Sequence, residues 1–129
     1  MIARRVHFTV PALPPTLNVW SRLHWSARAR YSRDWKLWIR AHAPDVPMFH
    51  KPVVVTLTFV CRRRRDADGM PKFVLDGLVG RILQDDGPDC VAELRLRVEV
   101  SRSAKACTRI EVQAAAGMAE IERAICGQT

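Results

Sequence analysis

Several things are scarce in this chain of 129 residues, and each scarcity rules something out. No apolar run approaches the roughly 20 residues that a membrane-crossing helix needs, so a bilayer span is not expected. The opening residues Met1-Ile2-Ala3-Arg4-Arg5-Val6-His7 lack the apolar stretch of an export signal. Cysteine is sparse and dispersed: Cys61, Cys90, Cys107 and Cys126 make no Cys-x-x-Cys and have no histidine at finger spacing, which excludes the usual zinc motifs. With no export signal, free thiols and a cytoplasmic location are expected. There are no internal repeats and no low-complexity segments, and the length suits one domain spanning residues 1–129.

Acidic residues are also short. Twenty-one Lys and Arg stand against 13 Asp and Glu, a formal net charge of +8. The 48% hydrophobic and 26% charged fractions are those of an ordinary globular protein, so the imbalance speaks about partners and not about folding. It suggests a polyanion, either nucleic acid or an anionic membrane surface.

What is present falls into a simple order. Val6, Phe8 and Val10 alternate with polar residues as a half-buried strand does, and Pro11 with Pro14-Pro15 stops it. Thr16 to Trp25 reads as a loop carrying Asn18, Arg22, His24 and Trp25, groups suited to phosphate or base contacts. Ser26, a plausible N-cap, opens a helix to about His42, with Tyr31, Trp35, Trp38 and Ile39 on one stripe. Core packing is the favoured role of that stripe over base stacking, and Arg28, Arg33, Lys36 and Arg40 lie largely off it. After a proline-marked loop from about Ala43 to Lys51, the β-branched run Val53–Val60 predicts a central strand covered on both faces.

Pro71 suits the first turn of a second helix, with Val74, Leu75, Leu78, Val79 and Ile82 as its buried face and Gly87-Pro88 ending the segment. Lys72 and Asp76 fall one turn apart on it. Ala92 to Val100 alternates as a strand with one wet face. A turn over Ser101 to Ala106, a short strand near Arg109 to Val112 and a weakly patterned helix over Met118 to Ile125 complete the chain. The order β-α-β-α-β-β, with that added C-terminal helix, predicts an α/β (α+β) domain with helices packed on a small mixed sheet.

One stretch concentrates the chemistry. Arg62, Arg63, Arg64 and Arg65 run directly into Asp66 and Asp68, Lys72 follows, and Asp85-Asp86 comes after the second helix. On an extended chain, i, i+2 carboxylates share a face. With Asp86 or Asp85 returned by the helix, they suit a hard divalent cation such as Mg²⁺. Such an ion activates water for attack on a phosphodiester, and Lys72 is placed to offset developing charge. Four consecutive arginines favour a site where an anion relieves their repulsion. Taken alone, however, Asp-x-Asp before a helix suits a polar turn, and Asp85-Asp86-Gly87-Pro88 is an ordinary turn sequence. A calcium-binding EF-hand loop is excluded, because counting from Asp66 puts Pro71 where that loop needs Gly and Gly77 where it needs Glu. The four histidines are scattered and read as structural or surface groups.

The whole pattern resembles the RusA family of Holliday junction resolvases. Its elements are Arg62-Arg63-Arg64-Arg65-Asp66-x-Asp68-x-x-x-Lys72-x-x-x-Asp76-x-Leu78 with Asp85-Asp86 beyond, and upstream Leu13-Pro14-Pro15-Thr16-x-Asn18 with Arg22 and His24. The resemblance covers about residues 6 to 112. It implies a homodimeric, Mg²⁺-dependent crossover junction endodeoxyribonuclease, with Mn²⁺ as a substitute ion, that nicks branched DNA symmetrically in recombination and repair. By that resemblance Asp66, Asp68 and Asp86 are the metal-holding and catalytic carboxylates, Lys72 is the catalytic lysine, and Asp76 and Asp85 give support. Arg62 to Arg65, with Asn18, Arg22, His24 and Arg28, are the candidate DNA contacts, and no organic cofactor or membrane partner is expected. One departure stands out: the family usually has Asn after the second aspartate, where this chain has Gly69. A binding module for branched DNA with a weak or silent site is therefore the alternative, and a nuclease for RNA or flaps a third.

Overall fold

The computed structural model describes residues 4–15, 21–63 and 70–115. In chain order these form β1 (Arg5–Val10), α1 (Trp25–His42), β2 (Val53–Cys61), α2 (Met70–Leu78), β3 (Val91–Val100) and β4 (Cys107–Ala114). The order is the expected β-α-β-α-β-β, a small α+β domain on one mixed sheet. The expected helix over Met118 to Ile125 lies outside the described residues.

The strands run β1-β4-β2-β3 across the sheet. β2 and β3, separated by α2, are parallel, as a crossover connection requires. The other two pairs are antiparallel. Alternation places Val53, Val55, Leu57 and Phe59 of β2 in the core with Val6, Val10, Ile110 and Val112 of the neighbouring strands. Among the described residues Thr108 is the one buried polar residue, and its hydroxyl donates to the Ala12 carbonyl at 2.7 Å, so none of their buried side-chain polar atoms is left unpaired.

Two expectations about cover need correction. β2 is central, but only its odd-numbered face is sealed, while Val54, Thr56 and Thr58 on the other side are half-exposed. The physical reason is that the buried helix residues all join a core on one side, leaving a polar sheet face of Arg5, His7, Thr9, Thr56, Thr58, Arg95 and Arg97 open to water. β3 has the alternation expected of it, yet both its faces are exposed, because it lies at the sheet edge.

The helices also differ from their sequence patterns. His24, not Ser26, caps α1: its ring Nδ1 accepts from the Ser26 N–H at 3.3 Å and lies 2.9 Å from the Ser26 hydroxyl. Of the expected aromatic stripe only Trp35 and Ile39 are buried, whereas Tyr31 is 41% and Trp38 43% exposed. The nine-residue partner helix is half the length of the 18-residue α1, and the flanking aromatics are left uncovered. α2 itself stops at Leu78, short of Ile82. Gly80 there adopts φ +85, and the Leu78 carbonyl accepts from both Ile82 and Leu83 (2.9 and 3.0 Å), closing a turn in which Ile82 remains buried.

The two helices meet at Gly77. A Cβ built there would lie 2.6 Å from Ile39 Cγ1, a fully buried atom with no free direction of retreat. Gly77→Ala gains about 1 kcal/mol in helix propensity but meets overpacking worth about 1–3 kcal/mol. A net loss of stability of about 1 kcal/mol is expected in a urea titration. A stabilised variant would show that α1 and α2 do not pack this closely.

Candidate nucleic-acid interface and metal donors

Arg62 and Arg63 leave the carboxyl end of β2, where both are exposed. Because β2 and β3 are parallel, their ends coincide: Cys61 pairs with Val100, and the Ser101 N–H donates to the Cys61 carbonyl at 2.8 Å. That coincidence brings Arg102, forty residues away in sequence, against Arg62 and Arg63, and the three line one open concavity. None of the three has an acidic partner among the described residues. Three neighbouring guanidinium groups with no acidic partner among the described residues have the donor chemistry that suits an anion with several oxygens, such as a phosphate. Arg102 was not singled out by the sequence; the signal available was only that the turn after β3 must end beside β2 if the two strands are parallel.

The other candidate contacts divide. Arg22 is exposed, and His24 is occupied in capping α1, with its ring 5.4 Å from that of the exposed Trp25. Arg28 is turned inward: its Nε donates to the Leu23 carbonyl at 3.1 Å and its Nη2 to the Ser21 carbonyl at 2.9 Å. It therefore pins the segment before α1 in addition to whatever it offers a ligand. Arg64, Arg65, Asp66, Asp68, Gly69 and Asn18 lie outside the described residues.

Lys72 is exposed on the first turn of α2 and Asp76 is half-buried one turn on, but no ion pair joins them among the described residues. Asp85 and Asp86 are both exposed in the turn beyond α2. Asp85 Oδ1 accepts from the Asp86 N–H at 2.8 Å, the local bond by which an aspartate shapes its own turn. This turn is anchored at the amino end of β2: Gln84 Nε2 is 2.9 Å from His50 Nδ1, and the Val53 N–H donates to the Cys90 carbonyl at 2.9 Å. The acidic pair and the arginine group thus stand at opposite ends of β2, a strand about 26 Å long.

The described residues contain no group of three metal-type ligands. Asp86 alone of the expected donor set is described. As an exposed carboxylate with no ion pair among the described residues, it fits the oxygen chemistry of Mg²⁺. Asp66 and Asp68, the other two expected donors, lie outside the described residues.

The open sheet face is basic in composition but largely self-neutralised. Arg5 pairs with Glu111, Arg109 with Glu99 at 3.7 Å, and Arg95 with Glu93 through two bonds of 2.8 and 3.3 Å. The bonds from Arg95 hold the Glu93 carboxyl below its usual range. Compared with protein-family models and with curated proteins, the chain matches none. No described helix is long and apolar enough to cross a membrane.

Removing Arg28 separates its two roles. Arg28→Ala is expected to cost about 1–2 kcal/mol in chemical denaturation, because two backbone carbonyls lose a charged donor. Arg63→Ala, a change at an exposed side chain, is expected to stay within about 0.5 kcal/mol. Equal effects would mean that Arg28 does not anchor the segment before α1.

Proposed function

We propose that this chain is a metal-dependent, structure-specific DNA endonuclease that resolves four-way junctions by paired nicks. The observation that carries the reading is the single run Arg62 to Asp76, in which a basic anion site, an Asp-x-Asp pair and a lysine follow one another directly off the end of the central strand. The exposure of Arg62, Arg63 and Lys72, and the approach of Arg102, support it. Asp66, Asp68 and Asp86 are the residues to hold Mg²⁺ or Mn²⁺, which when bound supplies Lewis-acid stabilisation of a phosphodiester under attack.

The remaining work falls to the chain. Arg62, Arg63 and Arg102 fix the backbone by its phosphates, which sets position without reading sequence, as recognition of a branched shape requires. Lys72 projects a mobile ammonium from a fixed helix turn, able to neutralise charge on a non-bridging phosphate oxygen. Two cuts related by symmetry call for two such sites, hence a homodimer on the junction.

A second reading, a branched-DNA-binding module with a weak or silent site, is favoured by two observations. Gly69 supplies no side-chain amide beside Asp68, and Asp86 stands at the far end of β2 from the arginines. One substitution separates the two. Asp68→Asn is expected to abolish nicking of a synthetic junction while leaving binding within about twofold, since the amide that replaces the carboxylate keeps its shape but not its charge. Cutting at the wild-type rate would remove Asp68 from the mechanism. Arg102→Ala, by contrast, is expected to weaken binding to all DNA forms alike and to reduce the slope of log affinity against log salt by about 1. An unchanged slope would show that Arg102 meets no phosphate.

A further inference from the structure

β3 is an edge strand whose charges (Glu93, Arg95, Arg97 and Glu99) all lie on its polar face and whose one irregularity is at Ala92, so its core-side face from Leu94 onward is left unprotected. It runs ten residues without a proline, pairs on one side with β2, and on the other meets no described strand. Its core-side residues Leu94, Leu96, Val98 and Val100 are 37, 44, 38 and 54% exposed, half of the large exposed hydrophobics among the described residues. A long strand with free backbone groups and a bare apolar face is a template for another strand. We propose that a second copy of this chain pairs with it, β3 against β3 and antiparallel, joining two four-stranded sheets into one of eight.

Charge selects this partner and this direction. Asp85, Asp86 and Asp89 are exposed just before β3 begins, while Arg62, Arg63 and Arg102 cluster where it ends. Antiparallel pairing lays the acidic end of each copy against the basic end of the other, twice over by symmetry. A parallel arrangement would set like against like. The strand's charged face narrows the alignment further. With Leu96 on the two-fold axis, Arg95 would oppose Arg97 and Glu93 would oppose Glu99, both repulsive. With Leu94 on the axis, Glu93 opposes Arg95 of the other copy on both sides, extending the Glu93–Arg95 pair already formed within each strand, and no like charges oppose each other along Val91–Arg97, the stretch the two strands then share; Val98 on the axis would oppose Arg97 to Glu99 as well, but over the shorter shared stretch Leu96–Val100. The apolar side then brings Leu94 against Leu94 and Leu96 against Ala92. This goes beyond the homodimer of the proposed function by naming its surface, and depends on the sheet alone, so it stands whether or not the chain cuts DNA.

Sedimentation velocity of the full chain without DNA tests it. The wild type is expected to sediment as a dimer. Leu94→Lys, a change at an already part-exposed position, is expected to sediment as a monomer with an unchanged far-ultraviolet circular dichroism spectrum. Arg95→Glu is expected to lose the dimer as well, and Glu93→Arg combined with Arg95→Glu to recover it. A wild-type monomer, or a dimer that survives Leu94→Lys, overturns the interface. Failure of the double variant to recover overturns the Leu94-centred alignment. Slow amide exchange at Leu94 and Leu96 in a monomer would assign the cover to residues 116–129 instead, and would equally overturn it.

Discussion

Everything in this domain hangs on the register of β2. Val53 at one end pairs with both Val91 and Ala114, and Cys61 at the other pairs with Val100. Since side chains alternate strictly, a slip of one residue would turn Val55, Leu57 and Phe59 out to water and bring Thr56 and Thr58 into the core. The same register decides which loops share an end of the sheet. Arg102 joins Arg62 and Arg63 because β3 is parallel to β2 and ends level with it. The Asp85-Asp86 turn is held at the opposite end for the same reason.

A sheet helix-covered on one side only has a second consequence. Its polar face carries ion pairs, one within β3 and two between strands, that leave little net charge, so the basic character of the chain is expressed at the arginine end of the sheet and along α1. Its apolar face is filled only as far as two helices reach. α1 and α2 are pressed together at Gly77 and Ile39, and their combined width does not extend over β3. The tight helix contact and the bare strand are two results of one limited covering layer.

Much of the fold was legible in the sequence because periodicity is a local property. The alternation in β1 and β3, the β-branched run of β2 and the proline at the head of α2 each mark an element within a few residues of its true bounds. What escaped was cover, which is set by neighbours distant in sequence. Nothing within Tyr31 to Ile39 says that its partner helix will be nine residues long, so Trp38 looked buried. Nothing within Val91 to Val100 says that no described strand lies beyond it. The end of α2 was misread because Gly80 acts through a positive φ, while Ile82 stays buried beyond the helix and keeps the helical pattern going. Of the candidate site, the arginines and the Asp85-Asp86 turn were readable as residues. Arg102 and the separation of the two charge groups appear only once the parallel pairing of β2 and β3 is known.

The claim that ties the basic end of the sheet to the carboxylates is that together they cut DNA at a branch. The most direct measurement is to map, at nucleotide resolution, the products of the wild-type chain on a synthetic four-way junction with Mg²⁺ present and then chelated. Two nicks placed symmetrically in opposed strands, dependent on the added ion and absent from linear duplex of the same sequence, are the predicted result. A bound but uncut junction across Mg²⁺ and Mn²⁺ would contradict it and leave the chain as a binding module.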